Sequence, residues 1–318
     1  MSAEIFGTTP SGDVVKALTL ENEHLSVSLI TLGASVQKLM FNGIPVVLGG
    51  AQLSEYLGGK RYFGATVGRV ANRIASARAM IAGSPAALDA NEANGNCLHG
   101  GRDGAGVKNW LLASVGSCHA EFSLCLPDGH MGFPGNLEVV ARYEIQGSVL
   151  RLVLTAKTDQ ETLCCFAPHS YWNLSGETTI EDHTLRIAAA RYLPLDSRGI
   201  PTGELREVNE TEFDFVAARK VAKTALDHNF CLGNERTALR PVLWLNSDKS
   251  GVGLEVATTE AGVQIYDGRH IQPNPRSGLA IEPQVWPDAA NQTGFPKIAL
   301  RPNETYRAVT EFRLSQAS

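Results

Sequence analysis

The chain has 318 residues, of which 43% are hydrophobic and 19% are charged, and its 28 basic and 33 acidic side chains give a net charge of −5. That apolar content is enough to build a core, so it excludes an intrinsically disordered chain. The acidic balance argues against a protein that binds nucleic acid by neutralising phosphates, and no apolar run approaches the roughly 20 residues of a membrane span.

The predicted elements are mostly β-strands, because apolar and polar side chains alternate with a period of two. In chain order, the alternating segments are 25–29, 137–145, 150–156, 254–256 and 306–314. The pair Gln146-Gly147 separates the second and third of these and gives the strongest hairpin signal in the chain. Segment 211–226 contains alanine and lysine, but its apolar spacing is too irregular to predict a helix.

Many strands at short intervals with little helix are typical of an antiparallel sandwich or barrel rather than a parallel βαβ fold. Neither a linker nor an internal repeat divides the chain, so residues 1–318 are expected to form a single domain. A concave face of such a sheet could hold a small polar ligand.

The start of the chain, MSAEIFGTTPSGD, has neither the basic nor the apolar region of a secretory signal, which predicts a cytoplasmic protein. The six cysteines form no CxxC pair and are too sparse for a disulfide scaffold, so they are expected to be free thiols.

Common cofactor and catalytic motifs are absent from the sequence. There is no phosphate-binding GxxxxGK[ST] loop, no GxGxxG after a strand, no HExxH, no GxSxG and no paired CxxC. We therefore expect neither a cofactor nor a metal, although a metal site built from distant residues stays open.

Polar residues gather in five segments where a β-rich core would not require them. These segments are GRVANRI (68–74), NCLHGG (96–101), PHSYWNL (168–174), LDHNF (226–230) and IEPQVWPDAAN (281–291). Taken singly, each has an ordinary structural interpretation: a charged strand edge or turn, a solvated loop histidine, a core histidine, an Asx turn or a solvated glutamate.

Taken together, the five segments offer the groups that sugar chemistry needs. His169 is a candidate general acid or base because an imidazole titrates near neutral pH. Glu282 follows the apolar strand 279–281 and is a candidate base, since partial burial shifts the pKa of a carboxyl group. Amide and guanidinium groups can hydrogen-bond to hydroxyls, and Trp172 and Trp286 could stack on a sugar ring.

At these residues the sequence resembles the aldose 1-epimerase family. Eight segments match in the family's order: GRVANRI (68–74), NCLHGG (96–101), DGHMGFPGNLEV (128–139), HSYWNLSG (169–176), IPTGE (200–204), DHNFCL (227–232), GVQIYDG (262–268) and IEPQVWPDAANQ (281–292). The resemblance implies an all-β fold, a large antiparallel β-sandwich of the galactose mutarotase type. It also implies an isomerase that interconverts the α and β anomers of a free hexose such as D-glucose or D-galactose.

The resemblance also implies roles for individual residues. Glu282 matches the base that takes the proton from the C1 hydroxyl, His169 the acid that protonates the ring oxygen, and His99 a second histidine of the site. The remaining substrate-binding positions are Asn72, Arg73, Asp227 and Gln264. Many relatives carry asparagine where this chain has Pro168, a departure expected to affect substrate preference.

Three alternative functions stay open. A glycoside hydrolase would use a carboxylate pair, Glu282 with Asp227 or Asp288. A sugar-binding module would bind without catalysis. The third alternative is a mutarotase for a phosphorylated or otherwise modified hexose; a phosphate would need a cationic pocket, for which Lys60-Arg61 is the nearest basic pair. In each case the expected partner is a sugar, with no nucleic acid and no membrane, and the protein is expected to be a monomer or a homodimer.

Overall fold

The computed structural model describes residues 3–317. The strands of the first third are β1 (Glu4–Thr8), β2 (Val14–Glu21), β3 (Leu25–Ile30), β4 (Ser35–Phe41), β5 (Ile44–Pro45), β6 (Val47–Leu48), β7 (Thr66–Val67), β8 (Arg73–Ile74), β9 (Arg78–Ile81), β10 (Ser84–Ala87) and β11 (Cys97–Leu98). Within residues 3–317, helical structure is limited to α1 (Leu53–Tyr56) and three short 3₁₀ turns, at Ala75–Ala77, Ala105–Val107 and His130–Gly132.

The rest of the described chain is also made of strands and loops. The strands are β12 (Leu111–Val115), β13 (His119–Leu126), β14 (Leu137–Gln146), β15 (Val149–Thr158), β16 (Thr162–Leu163), β17 (Ala167–Pro168), β18 (Tyr171–Trp172), β19 (Thr184–Ile187), β20 (Arg191–Tyr192), β21 (Arg206–Glu207), β22 (Arg219–Lys220), β23 (Asp227–Cys231), β24 (Arg240–Asn246), β25 (Val252–Thr258), β26 (Gly262–Tyr266), β27 (Leu279–Gln284), β28 (Ala299–Leu300) and β29 (Tyr306–Gln316).

Three antiparallel sheets carry most of the fold. A nine-stranded sheet has the order β12-β13-β14-β15-β29-β25-β24-β19-β22, a seven-stranded sheet the order β21-β20-β23-β26-β27-β18-β6, and a five-stranded sheet the order β1 to β5. The all-β, antiparallel sandwich expected from the sequence is therefore confirmed.

The sheets share one large apolar core. It joins Leu152 and Phe312 of the nine-stranded sheet to Val27 of the five-stranded sheet and to Ile265 and Ile281 of the seven-stranded sheet, all buried. Since side chains alternate along a strand, the neighbours of Ile265 and Ile281 point to the opposite face. This face of the seven-stranded sheet carries the candidate site.

The five alternating segments predicted from the sequence all lie within strands, namely β3, β14, β15, β25 and β29. The predicted hairpin is confirmed, because Gln146 pairs with Val149 and Gly147 adopts the left-handed φ of 54° that such a turn requires. Segment 211–226 contains turns and β22 but no helix.

All six cysteines are free thiols, as the sequence predicts. Cys164 and Cys165 belong to different apolar clusters, since adjacent residues of an extended segment face opposite sides. In residues 3–317 we find no helix that is long and apolar enough to cross a membrane. We propose that the chain is a single domain, supported by the core that the three sheets share.

Candidate active site

A row of polar side chains crosses the outer face of the seven-stranded sheet. Asn229 of β23 pairs with Gln264 of β26, which pairs with Glu282 of β27. Residues paired in this way project from the same face of a sheet. Because Ile265 and Ile281 face the core, this row faces away from it. We call the region over the row, where the candidate side chains meet, the cleft.

Glu282 lies deeper than its sequence context predicts. The strand does not end at Ile281 but continues to Gln284, so Glu282 is inside it and is only 2% exposed. Burial raises the pKa of Glu282 well above its usual range; the nearby Asp227 carboxylate raises it further, and Arg73 opposes the shift.

His169 directly follows β17 and lies beside Glu282. Its Nε2 is 3.5 Å from Oε1 of Glu282, and burial lowers the pKa of His169 to about 4. Both shifts favour an uncharged imidazole beside a protonated carboxyl group over a charged pair. The two arrangements hold the same single proton, so the pair titrates as a unit.

His99 completes a group of three with His169 and Glu282, whose potential ligand atoms all lie within 4.8 Å of one another. The backbone N–H of Asn72 donates to Nδ1 of His99 at 3.1 Å. The Nδ1 lone pair is therefore used and the hydrogen of the neutral ring sits on Nε2. This tautomer makes His99 a hydrogen-bond donor and does not suit a metal ligand.

One end of the cleft is a network of charged and amide groups. The Nε of Arg73 donates to both oxygens of Glu92 at 3.1 and 3.0 Å, and its NH1 is 3.8 Å from Oδ2 of Asp227. Gln264 donates from Nε2 to Oδ1 of Asp227 at 2.7 Å. Burial raises the pKa of Asp227, while Arg73 and Gln264 act in the opposite direction. The structure thus brings all seven sequence-predicted site residues together.

The aromatic side chains beside the site differ from those expected. Trp172 packs on Phe312 in the core and Trp286 packs on Phe295, so neither is available to stack on a sugar in the cleft. Tyr62 and Tyr171 lie there instead: the Tyr62 ring is 5.0 Å from that of His99, and the Tyr171 ring is 5.1 Å from that of His169.

Two residues near the motifs have structural roles. Arg69 is 1% exposed and donates to the carbonyls of Leu126, Pro127, Pro134 and Gly135 and to the Thr162 hydroxyl, so it ties loops together outside the cleft. Asp288 accepts hydrogen bonds from the Ala75 backbone and from the amides of Asn291 and Gln292. A carboxylate engaged in this way is poorly placed to serve as a hydrolase nucleophile.

The basic pair Lys60-Arg61 is also engaged. The Nζ of Lys60 is 2.6 Å from a carboxylate oxygen of Glu55 and donates to the Gly49 carbonyl at 2.8 Å, and Arg61 donates to the Arg102 carbonyl. Because Glu55 already neutralises Lys60, the structure gives no support to a phosphate pocket at this pair.

Comparison with known proteins gives consistent results. The family model described as aldose 1-epimerase matches residues 16–313. Galactose mutarotase of Rattus norvegicus is 38% identical, with 98% of each chain covered. The solved structure of a GalM/aldose epimerase homologue from C. elegans superposes with a TM-score of 0.90 at 27% identity, covering 96% of this chain and 100% of that one. The structure of galactose 1-epimerase from Lactobacillus acidophilus superposes with a TM-score of 0.89 at 27% identity, covering 100% of this chain and 99% of that one.

Proposed function

Since the chain belongs to the aldose 1-epimerase family, we propose that Glu282 and His169 are the acid–base pair with which it interconverts the α and β anomers of a free hexose. The family assignment makes the protein an isomerase that acts on a sugar. The residue roles, the preferred hexose and the order of proton transfers are our proposal.

Anomerisation requires one base and one acid. Glu282, as a carboxylate, takes the proton of the C1 hydroxyl while His169, as an imidazolium, gives its proton to the ring oxygen O5. The C1–O5 bond breaks and leaves an open-chain aldehyde. After rotation about C1–C2, neutral His169 removes the proton from the O5 hydroxyl, O5 attacks the other face of C1, and Glu282 returns its proton to O1. No proton is gained or lost overall.

The contact between His169 and Glu282 is the observation that carries this proposal. Nε2 of His169 and Oε1 of Glu282 lie 3.5 Å apart and both side chains are buried, so the two groups are close enough to reach two oxygens bonded to the same carbon. The second nitrogen of His169 and the second oxygen of Glu282 have no hydrogen-bond partner among residues 3–317, so no described protein group fixes either side chain in one protonation state.

The bound sugar is proposed to set the starting position of the shared proton. Burial alone favours the uncharged pair, but Arg73 lowers the pKa of Glu282, and hydroxyl groups that donate to a carboxylate act in the same direction. A sugar that brings such hydroxyls into the cleft therefore favours the carboxylate and the imidazolium.

The remaining polar groups are proposed to hold the sugar hydroxyls. His99 offers its Nε2–H, and Arg73 and Gln264 offer donors beside the Asp227 acceptor. Asn72 orients His99 and Arg73, because its backbone N–H binds His99 and its Oδ1 accepts from the backbone of Arg73. Pro168 pairs with Thr66 next to His169, and we propose that it influences which hexose is preferred.

We propose that the protein works in the cytoplasm on free monosaccharide, without a cofactor or a metal, as a monomer or a homodimer. The acid–base mechanism supports the part about cofactor and metal, because it transfers protons only.

A substrate panel tests the proposed function. Freshly dissolved α-D-glucose, α-D-galactose, α-D-xylose and a hexose 6-phosphate are followed by polarimetry with and without protein. We expect faster mutarotation of the unmodified aldoses and little effect on the phosphate, since Glu55 neutralises Lys60. Solvent-rate mutarotation of every sugar despite binding would indicate a binding module, and release of reducing sugar from a glycoside would indicate a hydrolase.

A further inference from the structure

Two buried amides without hydrogen-bond partners lie on the same sheet face as Glu282. Asn229 is 1% exposed and Gln284 is 0% exposed. Within residues 3–317, both amide atoms of each residue lack a partner, and so does Oε2 of Glu282. Native proteins satisfy almost all such groups with protein atoms or ordered water, so five unpartnered atoms on one face require an explanation.

The backbone at Gly262 lets the Asn229 amide lie close to strand β26. Gly262 of β26 lies directly opposite Gln284 of β27. A Cβ on Gly262 would lie 2.7 Å from Oδ1 and 2.9 Å from Nδ2 of Asn229, and 2.9 Å from Cδ1 of Trp286. The Asn229 amide thus occupies the side-chain position that glycine leaves open. We call this position, where the Asn229 amide and Trp286 lie against Gly262 opposite Gln284, the Gly262 notch.

The notch adjoins the proposed base. Glu282 and Gln284 are two residues apart in β27, so their side chains are neighbours on one face. Oε1 of Glu282 faces His169, and Oε2 is the oxygen that lacks a partner. A site with two amides and a carboxylate oxygen supplies the two to four polar partners that a buried water needs.

We propose that Asn229 and Gln284 hold an ordered water molecule beside the Gly262 notch, and that this water donates to Oε2 of Glu282. The two amide residues are then positioning residues: they touch no substrate and act through Glu282. The inference rests on the proposed role of Glu282 as the base.

Hydrogen bonds of this kind offset the burial that opposes ionisation of Glu282. The titratable and charged groups around Glu282 are His99, His169, Asp227, Tyr171 and Arg73. Of these, Asp227 raises the pKa of Glu282 and Arg73 lowers it. Neutral donors at Oε2 stabilise the carboxylate without adding charge, and their removal raises the pKa further.

The first test is Gln284→Met, which keeps the length of the side chain and removes its amide. We expect kcat at neutral pH to fall about tenfold with KM little changed, because the water is no longer held and the Glu282 carboxylate loses a hydrogen bond. The acid limb of the kcat profile should move to higher pH by about one unit, so that activity recovers as the pH rises. A packing defect would instead lower kcat equally at every pH.

The second test is Gly262→Ala, whose methyl group would displace the Asn229 amide from the notch. Gly253→Ala is the matched control: Gly253 is also a buried strand glycine, in β25 of the nine-stranded sheet, and its Cβ would lie 2.7 Å from Oδ1 of Asn246 and 2.9 Å from Oγ of Ser315. Both variants meet similar crowding. Only Gly262→Ala is expected to show the reduced kcat and the shifted acid limb.

A high-resolution crystal structure of the wild type should show a water within hydrogen-bond distance of both amides. The inference is overturned if that density is absent, if Gln284→Met keeps the wild-type profile, or if its loss of kcat is independent of pH. Wild-type protein that fails to accelerate mutarotation would overturn the proposed function instead, and active wild type with an unaffected Gln284→Met would overturn only the role of the notch.

Discussion

Glu282→Gln is expected to lower kcat for the mutarotation of D-galactose by about 10²–10⁴-fold, the range typical of a positioned acid or base. Glutamine has nearly the same shape, but its amide does not accept the C1 hydroxyl proton. The fold should survive, because the change removes a buried carboxyl group that is only 2% exposed and has an unpartnered oxygen. Polarimetry measures the rate, and thermal unfolding measures the stability.

Glu260→Gln is the control for this variant. Glu260 is 1% exposed, and its Oε1 accepts from Nε of Arg236 at 2.7 Å, in an ion pair separate from the cleft. Replacing it should reduce the free energy of unfolding by about 2 kcal/mol, the scale of a hydrogen bond between charged groups, and leave kcat intact. Near wild-type activity in Glu282→Gln would remove Glu282 from the role of base.

His169→Asn is expected to cause a loss of kcat in the same range of about 10²–10⁴-fold. Asparagine retains a polar side chain of moderate size but has no group that can give a proton to O5 at neutral pH and take it back. KM for galactose should change much less than kcat, since His169 acts on the ring oxygen during bond breaking. The rate is measured by polarimetry over a range of galactose concentrations.

His183→Asn is the matched control for His169→Asn. His183 is also buried, its pKa is likewise lowered to about 4 by burial, and its Nε2 accepts from the backbone N–H of Leu174 at 2.9 Å. Loss of that contact should affect stability and leave kcat unchanged. Equal effects on kcat in the two variants would mean that the loss in His169→Asn reflects packing rather than proton transfer.

The longer strands could be predicted from the sequence because the two-residue alternation of apolar and polar side chains repeats several times in each. Strands β14 and β15, each ten residues long, are examples. Strands of two residues, such as β17 and β18, are too short for the alternation to repeat, and they are recognised only from their hydrogen-bonded partner strands. Strand β27 continues past the apolar residues 279–281 because its backbone pairs with β26, whereas Glu282, Pro283 and Gln284 give no apolar alternation that predicts a strand.

The acid–base candidates could be identified from residue type and family resemblance, but their surroundings could not. Glu92, which holds Arg73, lies 19 positions away in a segment without a motif. The expectation that Trp172 faces the sugar was wrong, although alternation offered a signal. Positions 169 and 171 share a face in extended chain, so a His169 in the cleft places Tyr171 beside it and Trp172 in the core.

The most direct measurement is a crystal structure of the inactive Glu282→Gln protein with D-galactose bound. We expect the side chain at position 282 to lie about 2.6–3.2 Å from O1 of the sugar and Nε2 of His169 to lie at a similar distance from O5. A galactose bound outside the cleft, or one whose O5 makes no contact with His169, would contradict the assignment of these two residues as base and acid.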